Sequence, residues 1–171
     1  TTTPLEKTIC SENTTGISLT ANQGGATFTW VSTLISGDIS GFADGSGFLI
    51  DQQLFNADTV SGVVTYAITP STGGCTGLPV NDTVTVKPVP HVVTNPSDTA
   101  FCSGNPTLIN LLADLHHATF AWTATGSSPD VTGFSDGAGP VIMQTLTNTG
   151  TDIETVTYQI TATKDSCPGP A

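Results

Sequence analysis

The sequence predicts an all-β protein made of two tandem β-sandwich domains, and three observations carry that prediction. The chain repeats itself once, without a gap, at an offset of 92 residues: Cys10 maps to Cys102, Trp30 to Trp122, Tyr66 to Tyr158 and Cys75 to Cys167. Between Cys10–Pro79 and Cys102–Ala171, 31 of 70 aligned pairs are identical, and a repeat of domain length defines the folding unit. Second, alternating runs of β-branched and aromatic residues recur about every ten residues with glycine or asparagine between them, the pattern of a sandwich. Third, each copy carries two cysteines 65 positions apart, a suitable staple for a small core.

In chain order, Ile17-Ser18-Leu19-Thr20 alternates apolar and polar residues and is predicted as a strand. Phe28-Thr29-Trp30-Val31 follows, then Val64-Thr65-Tyr66-Ala67-Ile68-Thr69 and Thr83-Val84-Thr85-Val86-Lys87, the last stopped by Pro88. Glycine-rich Gly41–Gly47 between them reads as tight turns. Pro88-Val89-Pro90 is the expected linker, extended and semi-rigid because two prolines fix φ, which suggests a rod of domains spanning 1–90 and 91–171. Leu108–Leu115 has helical periodicity, but its partner in the first copy, Gly16–Gln23, has none, so both are assigned as strands. The second copy stops early: adding 92 to Asn81–Lys87 runs beyond Ala171. Either the natural chain continues, or another molecule supplies the last strand as in donor-strand assembly.

Composition narrows the function. Lys7, Lys87 and Lys164 are the cations, arginine is absent and the net charge is −11, which disfavours nucleic-acid partners and anionic membrane surfaces. No run of 18 apolar residues predicts membrane insertion. Without a starting methionine or signal pattern, the chain is expected to be a processed or excised piece of a larger protein. The equal spacing predicts disulfides Cys10–Cys75 and Cys102–Cys167, each worth about 4 kcal/mol in the chain-entropy model. Cys10–Cys102 and Cys75–Cys167 would join equivalent points of separate domains, and buried free thiols are the remaining alternative. Disulfides imply an extracytoplasmic location.

Candidate chemistry is thin. Asp44 and Asp136, with Asp38 and Asp130, offer two acids per cluster where calcium takes six to eight oxygens, so turns explain them better. His116 and His117 align with Gly24 and Gly25 and belong to a loop; His91 follows the linker without an obvious partner. Nucleophile elbows, phosphate loops, zinc spacings and cofactor motifs are absent, and no site breaks the repeat symmetry. The expectation is therefore a non-enzyme, with no cofactor and no metal. Trp30 and Trp122 are expected in the core beside a disulfide rather than as sugar platforms.

The segments Ile9-Cys10-Ser11, Phe28-Thr29-Trp30, Gly41-Phe42, Val64–Pro70, Gly74-Cys75-Thr76-Gly77 and Val84–Pro88 resemble PKD-like, immunoglobulin-like repeats of very large secreted surface proteins of Bacteroidota. The second copy carries the likeness through Phe101-Cys102-Ser103-Gly104, Phe120-Ala121-Trp122, Gln144–Gly150 and Val156-Thr157-Tyr158. The resemblance implies a β-sandwich spacer in an adhesin, gliding-associated protein or surface filament, exported by the type IX system. Its partners would be neighbouring repeats or identical subunits, with glycans or surface proteins as targets if the sandwich-end loops bind. The chain departs from the family in lacking the WDFGDG signature of standard PKD domains and a C-terminal sorting domain. In such bacteria O-glycans attach at Asp-Ser/Thr followed by a small or aliphatic residue, which points to Thr59, Thr83 and Thr99.

Overall fold

Strands form where the alternating runs stand. The computed structural model describes residues 5–93 and 98–171, and contacts divide the chain into two units, Thr1–Pro88 and Val89–Ala171. The described part of the first unit runs β1 (Glu6–Cys10), β2 (Ile17–Ser18), β3 (Thr27–Ser36), β4 (Ile39–Ser40), β5 (Gly45–Ser46), β6 (Leu49–Ile50), β7 (Phe55–Asn56), β8 (Gly62–Thr72), β9 (Cys75–Thr76) and β10 (Val80–Lys87). One sheet has the order β1-β10-β8-β3-β5, with β9 paired to the end of β8; the short pairs β2–β6 and β4–β7 supply the other layer. Between them lies the core, including Ile17, Phe28, Trp30, Ile50, Leu54, Val64, Tyr66 and Val84. Alternation places every second residue of β8 inward, so Val64, Tyr66 and Ile68 are buried while Val63, Thr65 and Ala67 are half-buried.

The second unit repeats this with the same offset. Its strands are β11 (Ile109–Asn110), β12 (Thr119–Gly126), β13 (Val131–Thr132), β14 (Gly137–Ala138), β15 (Val141–Ile142), β16 (Thr147–Asn148), β17 (Val156–Lys164) and β18 (Cys167–Pro168). They correspond to β2 through β9. Pairing is carried over without a slip: Trp30 opposes Ile68 in one module and Trp122 opposes Ile160 in the other. Leu108–Leu115 contains the short strand β11 and no helix, as homology to the first copy predicts. The described residues contain no helix at all, so none is long and apolar enough to cross a membrane.

Among the described residues, β1 and β10 have no counterpart strand in the second module: positions matching β10 would fall beyond Ala171, and residues 98–102, the counterparts of β1, form no strand. Among the described residues β1 pairs only with β10, in parallel from Glu6↔Thr83 to Cys10↔Lys87. Val64, Tyr66 and Ile68 are 0–2% exposed, whereas their counterparts Val156, Tyr158 and Ile160 are all partly exposed.

Candidate functional site

Each module holds a polar network built from the same residues. Gln52 accepts hydrogen bonds at Oε1 from the Tyr66 hydroxyl (2.9 Å) and the Ala43 N–H (3.0 Å), and its amide donates to the Ala43 carbonyl (2.7 Å). Trp30 Nε1 donates to that same carbonyl at 3.1 Å. Gln144, Tyr158, Ser135 and Trp122 reproduce each of these bonds at distances of 2.7–3.2 Å. Thr15, buried, donates to the Ile50 carbonyl and accepts from the Gln52 N–H; Thr107 does the same for Ile142 and Gln144. Asp44 accepts from the Ser32 N–H, and Asp136 from the Ala124 N–H. These aspartates therefore tie a turn to the neighbouring strand, the role their glycine surroundings suggest. Trp30 and Trp122, 7% and 8% exposed, lie in the core.

One group in the first module has no equivalent. Asp82, on β10, is fully buried, and among the described residues neither carboxylate oxygen has a hydrogen-bond partner. Burial pushes its pKa up; the nearby Thr83 N–H, which itself donates to the Leu5 carbonyl, and the Lys7 charge pull the other way. Burial and then the Asp82 charge push Tyr66 up to about 12. Tyr158 is raised by burial as well.

The cysteines do not make the within-module pairs that their spacing suggests. Cys10 and Cys167 each take part in a disulfide, whereas Cys75 and Cys102 are exposed free thiols. Register explains why. Cys10 is level with Lys87, and the adjoining Val86 is level with Gly62 at the start of β8. Cys75 is level with Thr72 at its far end. The eleven residues of β8 separate them by about 33 Å, where a disulfide needs Cα atoms about 4.4–6.8 Å apart. The second module has the same layout. Cys167 faces Lys164 at one end of β17, while Cys102 precedes Ser103, whose hydroxyl accepts from the Asn148 N–H near the opposite end. Gly45 and Gly137 supply the flat surfaces that the tryptophans cover: an added Cβ would lie 2.6 Å from the indole in both modules.

At the Cys75 end of the first module a groove of about 330 Å³ opens among Ala21, Asn22, Gln23, Ala26, Ile68 and Cys75. In the second module the corresponding positions are engaged by the chain's own Pro90-His91-Val92. Val92 bridges to Ala113 and, like Ala118 and Ile160, packs against the core cluster. The His91 N–H donates to Asp114 Oδ1 at 2.8 Å, and the imidazole lies 3.0 Å from Oδ2. Although burial opposes ionisation, these contacts with His91 hold the Asp114 carboxyl below its usual range. His91, without a partner in the sequence reading, thus has one; only the pairing of strand ends could have revealed it.

Two sandwiches sharing one strand register match a known family. The PKD-like domain model covers residues 7–90 and 99–171. The chain belongs to the PKD-like domain family. No curated protein matches it. The PKD-like modules place the remaining candidate residues differently. Thr59 and Thr99 stand exposed in segments without strand structure, while Thr83 is half-buried in β10 between β1 and β8. His116 lends its carbonyl to Lys164 Nζ at 2.8 Å, and His117 takes the same positive φ (64°) as its counterpart Gly25 (75°).

Proposed function

We propose that this PKD-like pair is a non-enzymatic structural repeat of an extracellular surface protein, a spacer within an adhesin, stalk or filament. The supporting observation is the distribution of differences between the modules. Gln52, Tyr66, Trp30, Thr15 and Asp44 have identical or equivalent partners in the second copy, so the polar interior serves the scaffold twice over. What differs lies at module ends and at one sheet edge. A disulfide in an acidic, arginine-free chain fits an oxidising exterior. Electron microscopy of native material tests the reading: rods or fibres with a module-length period support it, and isolated compact particles would refute it.

The open edge gives the spacer a means of assembly. Among the described residues β17 pairs with β12 on one side and, on the other, only with β18 over Thr163–Lys164. A strand like β10, from a following module or another copy, would cover the half-exposed Val156, Tyr158 and Ile160. A synthetic peptide of residues 80–87 should slow hydrogen exchange of amides 156–161; unchanged exchange at millimolar peptide would sink strand donation. Thr59, Thr83 and Thr99 are the proposed O-glycan acceptors, Thr59 and Thr99 being the more accessible. An intact mass of native material equal to that of the bare polypeptide would remove them.

A further inference from the structure

We infer that the groove at the Cys75 end of the first module is an acceptor for an extended Pro-x-Val segment from another PKD-like module, with Cys75 as a covalent latch. The template for the filled state is the second module. There, Pro90 is fully buried, Val93 N–H donates to the Leu112 carbonyl at 2.8 Å, and Asp114 N–H donates to the His91 carbonyl at 3.1 Å. The Pro90 carbonyl presses against Gly169, where a Cβ would stand 1.7 Å away. Every apolar element of that cradle recurs in the first module: Ala113, Ala118, Ile160 and Gly169 correspond to Ala21, Ala26, Ile68 and Gly77, and all four line the groove. Asn22 replaces Asp114. Its amide oxygen can still accept the N–H that His91 donates in the second module, but it carries no charge, so the residue before valine need not be histidine.

The cysteines carry the second half of the inference. At the filled end Cys167 is 1% exposed and bonded; at the open end its counterpart Cys75 is exposed and free. At the opposite pole the states are reversed, Cys10 being bonded and Cys102 free. The chain therefore presents one unused thiol of each type, and the latch joins Cys75 of one copy to Cys102 of another. Both thiols lose a proton and an S–S bond forms; the two electrons reduce oxidised glutathione to two molecules of glutathione. This rests on the spacer reading only in taking the neighbour to be a module of the same kind.

Two measurements on the full chain test it. Acetyl-PVPHVV-amide, residues 88–93, should produce saturable amide shifts at Ala21–Gln23, Ala26, Ile68 and Gly77. Ala21→Trp, at an exposed position, should weaken binding by about tenfold or more with the remaining spectrum intact. Absent shifts, or shifts centred elsewhere, overturn the groove. With oxidised glutathione, the chain should form a ladder of linked copies on non-reducing gels. Cys75→Ser and Cys102→Ser should each abolish the ladder, and an equimolar mixture should yield a dimer containing a Cys75–Cys102 cross-linked peptide. Dimers formed as readily by either variant alone, or an intramolecular Cys75–Cys102 bond, overturn the latch. If both arms fail while native material still images as rods, this inference falls and the spacer reading stands.

Discussion

The hairpin turns that join β8 to β9 and β17 to β18 have the same backbone and different residues, which makes them a matched thermodynamic experiment. Thr72 pairs with Cys75 and Lys164 with Cys167, leaving two-residue loops. Both central residues have positive φ: 56° and 79° at Gly73-Gly74, 50° and 68° at Asp165-Ser166. This is a type I′ turn, whose twist suits the flanking strands. An L-residue held there costs about 1–2 kcal/mol, while replacing it by glycine gives back about 0.4–1 kcal/mol through the freer unfolded chain. Ser166→Gly should therefore stabilise the second module by about 0.5–1 kcal/mol, a rise of roughly 3–6 °C in its melting transition. At Gly74 an added Cβ would meet nothing within 4 Å, so Gly74→Ser should lower the first module's transition by a similar amount with no clash contributing. Calorimetry of the intact chain under fixed redox conditions reads both, each variant identifying its own transition. A lower transition for Ser166→Gly, or an unmoved one for Gly74→Ser, would refute the strain assignment. The same logic extends along the chain: Glu12, Leu108, His117 and Asp165, the other positive-φ side chains, align with Gly104, Gly16, Gly25 and Gly73.

Three further outcomes are expected. Gly137→Ala forces a methyl into Trp122 and should cost about 1–3 kcal/mol by overpacking, read as a lower urea midpoint with an unchanged slope; a neutral result would contradict the indole contact. The folded first module binds the Asp82 proton more tightly than the unfolded chain does, so its stability is highest below the unfolded carboxylate pKa of about 4 and declines as pH rises through the raised folded value. Asp82→Asn should accordingly gain on the parent protein between pH 3 and pH 7 in urea titrations, and a pH-independent difference would show that the carboxyl is not held protonated. The same substitution should lower the Tyr66 titration from about 12 in ultraviolet difference spectra while leaving Tyr158 unmoved; equal shifts in both would remove the Asp82 contribution.

Much of the fold was legible because the duplication turns weak local signals into paired ones. Leu108–Leu115 has helical spacing by itself, and only its alignment with Gly16–Gln23 identifies it as extended chain. The polar network around Gln52 was not legible. Glutamine, threonine and asparagine on a Thr-rich surface look alike in sequence, and only the packing shows that Gln52 and Gln144 bridge a tryptophan, a tyrosine and a turn in both modules. The strandless state of residues 98–102 was hidden for a different reason. Only Cys102 among them is identical to its partner in β1, and β1 itself pairs with the distant β10, so strand formation at that edge depends on a partner far along the chain rather than on local sequence.

The cysteines show how a correct observation can support the wrong bond. Equal spacing of 65 in both copies states that each cysteine occupies the same place in its module. It does not state which places are near each other. A repeat in which type-one cysteines bond type-two cysteines within a module and one in which they bond across modules have identical sequences, because translation by one repeat maps either pattern onto itself. Register rules out the first: Cys10, level with Lys87, and Cys75, level with Thr72, stand at opposite ends of the sheet, too far apart for a bond. The free thiols are Cys75 and Cys102, one of each type.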